Sequence, residues 1–256
     1  MSLPGLVHLV WAPLGPEPFG RFLKSLRDHP PGLAHRLVLV FKEFRDPAHR
    51  APWDRLAAGV DHDAVIMPGT VLDLAAYRRV AADLQAPRYC FTNSAAVALA
   101  DGWMATLDSV LSGRGTGLVG ASGSWESAYT AALPWQKPIR RLHFPPFPNP
   151  HIRTNAFMLE RDLLLDLDWP DVGADKAAAL RLESGRRSLT RQVRARGLEA
   201  VVVGRDGRTH QPDEWPVSRT FRSGDQEDLL VADNRTVQYA EATGARRAEL
   251  ARFAWG

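Results

Sequence analysis

Cysteine is nearly absent. Cys90 is the only one in 256 residues. A disulfide framework and a cysteine-built zinc site are therefore excluded, and Cys90, inside Tyr89-Cys90-Phe91, reads as a small buried hydrophobe. Long hydrophobic runs are also missing. No stretch approaches the roughly 18 apolar residues of a membrane span, and the N-terminus lacks the basic and apolar regions of a secretory leader. These absences predict a cytoplasmic protein, with peripheral contact to the inner membrane face left open. Charge of one sign is not in excess: 32 Lys+Arg against 29 Asp+Glu leave a formal +3. That balance describes a mixed, solvated surface, and no nucleic-acid-binding motif accompanies it. There is no internal repeat and no low-complexity tract. Hydrophobic residues at 45 % and charged residues at 24 % are ordinary for a globular chain.

What is present is alternation. Leu6–Val10, Leu37–Phe41, Ala64–Met67, Arg88–Phe91 and Gly117–Gly120 are short apolar runs that read as strands. Between them, Phe19, Phe22, Leu23 and Leu26 line one helical face, Asp73–Leu84 reads as a helix, and Leu99, Trp103, Leu107 and Leu111 line another. The pattern predicts an α/β fold with a mostly parallel sheet covered by helices on both faces. Ligands in such sheets bind beyond the C-terminal ends of the strands. The second half is less regular. His143–His151 carries four prolines in nine residues and reads as a stiff loop. Arg153–Leu165 reads as a strand turning into a helix, Leu180–Arg196 as a helix stopped by Gly197, Glu199–Val203 as a strand, and residues 237–254 as a C-terminal helix. No linker splits the chain, so residues 1–256 are expected to form a single domain.

Two motifs in Gly113–Trp125 fail on inspection. Gly115, Gly117 and Gly120 match G-x-G-x-x-G, but that fingerprint needs strand, glycines, then helix; here the glycines follow a helix and precede a strand. Gly120-Ala-Ser122-Gly123-Ser124 lacks the final glycine of a G-x-S-x-G elbow.

Arg88-Tyr-Cys-Phe-Thr-Asn-Ser94, followed by Asp101-Gly-Trp103 and Gly117-Leu-Val-Gly120, resembles the GT-A glycosyltransferases, especially their family-2-like group. Thr154-Asn-Ala-Phe-Met-Leu-Glu-Arg161 is similar to that group's acceptor-side segment, and Leu182-Glu-Ser-Gly through Arg191 to Gly197 to its acidic helix. The resemblance covers residues 5–205 and rests on the order of these segments together. It implies a Rossmann-like GT-A domain with a nucleotide-sugar-binding half (about 1–125) and an acceptor-side half (about 126–256). The implied reaction moves a sugar from a nucleotide-diphosphate donor to a hydroxyl of a carbohydrate or lipid-linked acceptor, in polysaccharide or glycan biosynthesis. Glu183 falls at the base position of inverting members, and Asp73 and Arg78 fall on the nucleotide-contacting helix.

The chain departs from the pattern at two points. The metal-binding D-x-D is replaced by Thr92-Asn93-Ser94, and neutral side chains are weak substitutes for the carboxylates Mg²⁺ and Mn²⁺ prefer. Glu183 is followed by Ser184 rather than a second acid, with Arg186, Arg187 and Arg191 close behind. Leaving-group charge would then fall to cations such as Arg153, Arg187 and Arg191, or to a weakly held metal helped by His210. Asn93 and Ser94 are donor-site candidates, against a plain helix N-cap. Asp73 is a donor contact, against a first-turn aspartate favoured by the helix dipole. His151 and Asn155, in the stiff and polar Asn149–Asn155, are acceptor-side candidates, against satisfied loop groups. Trp125 and Glu126 are candidates for sugar stacking, against an edge-packing role. Asp233-Asn-Arg-Thr236 reads as a helix cap, and Asp206-Gly207 as a turn. Two other readings remain: a non-catalytic sugar- or nucleotide-binding relative, and a sugar nucleotidyltransferase.

Overall fold

The computed structural model describes residues 2–169 and 175–256. Strand β1 (Gly5–Trp11) leads through a 3-10 turn into helix α1 (Pro16–Asp28). Then come β2 (Arg36–Lys42), α2 (Pro47–Ala57), β3 (Asp63–Met67), α3 (Asp73–Asp83), β4 (Arg88–Thr92), the two-residue β5 (Val97–Ala98), α4 (Trp103–Leu111), β6 (Thr116–Gly120) and β7 (Gly123–Ser124). The rest comprises α5 (Lys137–His143), β8 (His151–Ile152), β9 (Ala156–Glu160), α6 (Arg161–Asp166), α7 (Lys176–Ser184), α8 (Leu189–Ala195), β10 (Glu199–Val203), β11 (Thr209–His210), β12 (Val231–Ala232), α9 (Asn234–Glu241) and α10 (Gly244–Trp255).

Eight strands form one sheet in the order β11-β10-β6-β9-β4-β1-β2-β3. Six share a direction, while β9 runs antiparallel between β4 and β6 and β11 antiparallel to β10. The predicted mostly parallel α/β sheet is thus what the chain forms. Residues Leu6, Val10, Leu39 and Phe41 face α1, α2 and α4, whereas Val7, Leu9, Val38 and Val40 face α3, α6, α7 and α8. Burial on both faces is why these strands read as unbroken apolar runs. Strand β3 is an edge strand and alternates, with Ala64 and Ile66 exposed.

Several boundaries differ from expectation. The helix expected over Leu180–Arg196 is two: Gly185 leaves helical geometry, and the Ser188 side chain accepts from the Arg191 N–H to start α8 afresh. The C-terminal helix is likewise divided before Gly244, which takes φ +49°. Helix α4 starts only at Trp103, because left-handed Gly102 precedes it. Helices α2 and α5 were not anticipated. Prolines at 47, 52 and 138 mask both, although Pro47 and Pro138 lie in first turns, where a missing N–H costs nothing.

The glycines around Gly120 serve packing. A Cβ on Gly120 would stand 2.5 Å from Ile152 Cγ2, and one on Gly123 would overlap the Trp215 ring. Strand β8 and Trp215 therefore sit directly on this backbone.

Under β1, His8 is fully buried, stacked on Phe22 with ring centroids 3.4 Å apart. Its Nδ1 lies 3.1 Å from Thr92 Oγ1. Burial pushes its pKa down from 6.5 to about 3, so the folded protein holds it neutral. The unfolded chain takes up a proton below pH 6.5 that the folded chain refuses. Stability is therefore complete above pH 6.5 and falls as pH drops from there toward 3. At pH 5 the loss from this residue is about 2 kcal/mol. Urea unfolding at pH 7 and pH 5 will show that loss, and His8→Asn, which cannot titrate, will reduce the difference by about that amount. Separately, Gly123→Ala should lower the unfolding free energy by about 1–3 kcal/mol through overpacking against Trp215.

Candidate active site

Because β9 is antiparallel, its first residue lies at the same end of the sheet as the last residues of β4 and β6. Thr92 pairs with Ala156, and Gly120 with Phe157. The polar segment Asn149–Asn155 is thereby delivered to the ligand-facing rim. It is fixed there by backbone bonds: Asn93 N–H to Asn155 O (2.9 Å), Arg153 N–H to Ser122 O (3.1 Å) and Ala121 N–H to Ala156 O (3.0 Å). Pairing of β7 with β8 closes the floor.

At the centre is Arg153, buried together with its partners. Nη2 donates to Asp233 Oδ2 at 2.6 Å, Nη1 donates to Ser122 Oγ at 3.1 Å, and the guanidinium lies 4.0 Å from the centre of the Phe221 ring. Ser122 Oγ in turn donates to Asn155 Oδ1 at 2.8 Å. Asp233 Oδ1 accepts from the Arg235 and Thr236 N–H groups and so caps α9. Burial would raise the Asp233 pKa, but Arg153, the Thr236 N–H and Arg235 outweigh it and hold it below the usual carboxylate range. Beside this pair, Glu126 bridges Arg222 (2.8 Å) and Arg235 (3.0 Å).

Glu183, the next-to-last residue of α7, is half-buried at the same rim. Its Oε1 accepts from Thr154 Oγ1 (2.9 Å) and from the Thr154 N–H (3.3 Å). His151 is buried nearby, with Nδ1 2.8 Å from Asn149 O. Burial lowers its pKa, and the opposing pull of Glu183 and Glu126 does not restore it. Tyr77 of α3 is fully buried, its hydroxyl has no partner among the described residues, and its pKa is raised by burial and by the carboxylates of Asp73 and Glu183. Asp73, at the first position of α3, pairs with buried Lys42 at the end of β2.

The structure links Asn93, Asn155 and Arg153 through backbone bonds and Ser122, and sets Glu183 on the adjoining Thr154 with His151 nearby; Asp73 is held apart from them by Lys42. Other candidates lie elsewhere. Arg78 projects from the exposed side of α3 toward the Trp169 ring, 5.9 Å from its centre. Arg187 is exposed and pairs with Asp168. Arg191 donates to Asn149 Oδ1 at 3.2 Å, one layer behind His151. Glu126 has each carboxylate oxygen paired with an arginine, Oε1 with Arg222 and Oε2 with Arg235. Trp125 donates its Nε1 to Pro212 O at 2.8 Å and packs edge-on against Trp255 and Phe147. It lines a separate open recess of about 570 Å³ with Pro148, Pro150 and Arg194. His210 sits on the edge strand β11, four strand spacings from β4 and so roughly 19 Å away. It cannot share a metal with Asn93.

The residues in the D-x-D position do not fit a divalent cation. Thr92 is fully buried, and its Oγ1 donates to Val7 O at 3.1 Å rather than facing the crevice. Asn93 Oδ1 accepts from the Ala95 N–H at 3.1 Å, which caps a turn and not the next helix. Ser94 lines a small recess together with Trp11, Leu14 and Gly15. Among the described residues no cluster of three His, Cys, Asp or Glu could hold a metal. The sequence does not single out Lys42, Ser122, Arg222 or Asp233 as site residues. Only Asp233 carried a local signal, its capping motif, and that motif did not reveal its second oxygen.

No known protein family matches the sequence, and no curated protein does. Among solved structures, the chain is similar to the mannosyltransferase PcManGT from Pyrobaculum calidifontis, solved with GDP-Man and Mn²⁺. Identity is 17 %, the match covers 71 % of this chain and 52 % of that one, and the TM-score is 0.45. It is also similar to glucosyl-3-phosphoglycerate synthase from Mycobacterium tuberculosis, solved with Mn²⁺, UDP and phosphoglyceric acid. There identity is 15 %, coverage 71 % and 64 %, and the TM-score 0.44. A third is HddC from Yersinia pseudotuberculosis, at 14 % identity, 72 % and 88 % coverage, and a TM-score of 0.44. The chain thus spans about half the length of the first and under two thirds of the second.

The Arg153–Asp233 pair is testable by itself. Asp233→Asn leaves a buried guanidinium without its counter-charge and should cost about 3–5 kcal/mol in denaturant unfolding. The double variant Arg153→Met/Asp233→Leu should recover much of that loss.

Proposed function

We propose that the chain is a glycosyltransferase that moves a sugar from a nucleotide-diphosphate donor to a hydroxyl acceptor, with Glu183 as the base. The observation that carries the reading is the fixing of Glu183 by Thr154 on the rim of an α/β sheet, where its Oε2 accepts no hydrogen bond from the described residues. A carboxylate held by one oxygen and open at the other is placed to take a proton from an acceptor hydroxyl. Attack from that side inverts the anomeric carbon. In this reading residues 1–256 act as one domain, with the donor between the ends of β1, β2 and β4 and the acceptor on the side of Asn149–Asn155. The named ligands of the solved structures, GDP-Man and UDP, support a nucleotide-sugar donor. The acceptor would be a carbohydrate or a lipid-linked sugar, as in polysaccharide or glycan assembly.

The donor set argues for transfer without a bound divalent ion. Arg153, Arg222 and Arg235 face two carboxylates, Asp233 and Glu126, which leaves one net positive charge within that cluster. That charge, with backbone N–H groups, would offset the leaving diphosphate. The same saturation of Arg153 favours a second reading, a non-catalytic nucleotide-sugar-binding relative.

A panel of UDP-, GDP- and TDP-sugars separates the readings. Calorimetric binding together with donor hydrolysis or transfer, unchanged by EDTA, is expected of the enzyme; binding heat alone indicates the non-catalytic relative. Glu183→Gln keeps the shape and removes the basicity. It should lower kcat/KM by about 10²–10⁴-fold with donor affinity unchanged. Transfer at the wild-type rate in that variant would show that another group is the base. Loss of activity in EDTA that Mn²⁺ restores would overturn metal-free transfer.

A further inference from the structure

Helix α5 and the 3-10 turn before it (Pro134–Gln136) bury no residue at all. Their large apolar side chains point outward: Trp135 is 73 % exposed, Ile139 67 % and Leu142 72 %. The spacing i, i+4, i+7 puts the three on one helical face. Exposure of that size, on one face and without a partner among the described residues, marks an interaction surface. The charge around it has one sign. Leu133–His143 contains Lys137, Arg140 and Arg141 and no acidic residue. The Lys137 Nζ lies 5.9 Å from the centre of the Tyr129 ring and the Arg140 guanidinium 5.4 Å from that of Phe144, so both charges stay close to α5. Alongside lies a recess of about 530 Å³, lined by Leu142, His143, Arg181, Arg186 and Arg187, with Asp168 paired to Arg187.

An apolar stripe with tryptophan at its edge and cations flanking it has the composition of a helix that lies in a bilayer interface. We propose that Leu133–His143 seats on an anionic phospholipid surface. Trp135, Ile139 and Leu142 enter the acyl boundary, and Lys137, Arg140 and Arg141 meet the headgroup phosphates. Charge complementarity selects this occupant over a neutral apolar partner, since each basic residue near an anionic leaflet adds to binding. The surface is also connected to the crevice. The Arg186 N–H donates to His143 O at 2.8 Å, and Arg186 Nε to Arg141 O at 3.1 Å. Glu183 stands three residues before Arg186, so an anchored α5 holds the rim of the crevice near the membrane plane. The inference rests on exposure and charge and is independent of the proposed transfer reaction.

The test is co-sedimentation of the whole protein with vesicles of phosphatidylglycerol and phosphatidylcholine, against phosphatidylcholine alone. It needs no donor and no activity, so its result stands apart from the glycosyltransferase reading. Binding should require phosphatidylglycerol and weaken as salt rises. The variant Trp135→Ser/Ile139→Ser/Leu142→Ser should bind at least about tenfold more weakly, with an unchanged thermal melt because the side chains are exposed. The single Trp135→Ser should show a smaller loss in the same direction. Equal sedimentation with both vesicle types, or undiminished binding by the triple variant, overturns the proposal. A wild-type dimer in light scattering that the triple variant converts to monomers, without vesicle binding, overturns it as well and assigns the stripe to a second copy.

Discussion

Arg153 and Asp233 hold the rim together. A buried guanidinium is tolerated only with a counter-charge and filled hydrogen bonds, and this one has Asp233, Ser122 and the face of Phe221. Each of those partners belongs to a different part of the chain. Ser122 follows β6, Phe221 sits in the irregular stretch after Trp215, and Asp233 opens α9. The pair therefore fastens three segments to the start of β9. Asp233 also spends its other oxygen on the first N–H groups of α9. One carboxylate sets both a helix start and the position of the central arginine.

The second organising feature is the direction of β9. A parallel strand in that place would send Asn149–Asn155 to the opposite end of the sheet. Inserted antiparallel between β4 and β6, it brings Asn155 against Asn93 and Arg153 against Ser122. It also sets Thr154 under Glu183. Polar groups from the two halves of the chain thus meet at the strand ends, where an open α/β sheet receives its ligands. The glycines of Gly113–Trp125 belong to the same construction. Gly120 and Gly123 lack side chains because Ile152 and Trp215 occupy that space.

The fold was largely readable in the sequence because burial on both faces writes itself as apolar runs. Leu37–Phe41 and Glu199–Val203 could scarcely be anything but central strands. Helices with a clear stripe, such as α1 with Phe19, Phe22 and Leu23, were equally plain. Helix α2 was hidden by its prolines, and the break at Gly185–Ser188 by a side-chain cap whose effect depends on backbone geometry. The site was less readable. Asn93, Arg153, Asn155 and Glu183 lie at one rim of the sheet, held there by hydrogen bonds. Glu126, Trp125, Arg78 and Arg187 have polar or aromatic character that suits a ligand equally well. Their partners lie far off in sequence: Arg222 is 96 residues from Glu126, and Pro212 is 87 from Trp125. No local pattern encodes such a pairing.

The separation between Arg153 and Asp233 bears on how the protein is made. Asp233 follows Arg153 by eighty positions in the chain. At ordinary synthesis rates of about 5–20 residues per second, the arginine waits roughly 4–16 s for its counter-charge. Strands β1 to β4 can pair while the chain is still growing, but the polar floor at their ends cannot close. During that interval the start of β9 carries an uncompensated cation, which water must solvate. The sheet can thus be present on the ribosome before the crevice exists, and a nascent chain interrupted before residue 233 would have strands but no organised site.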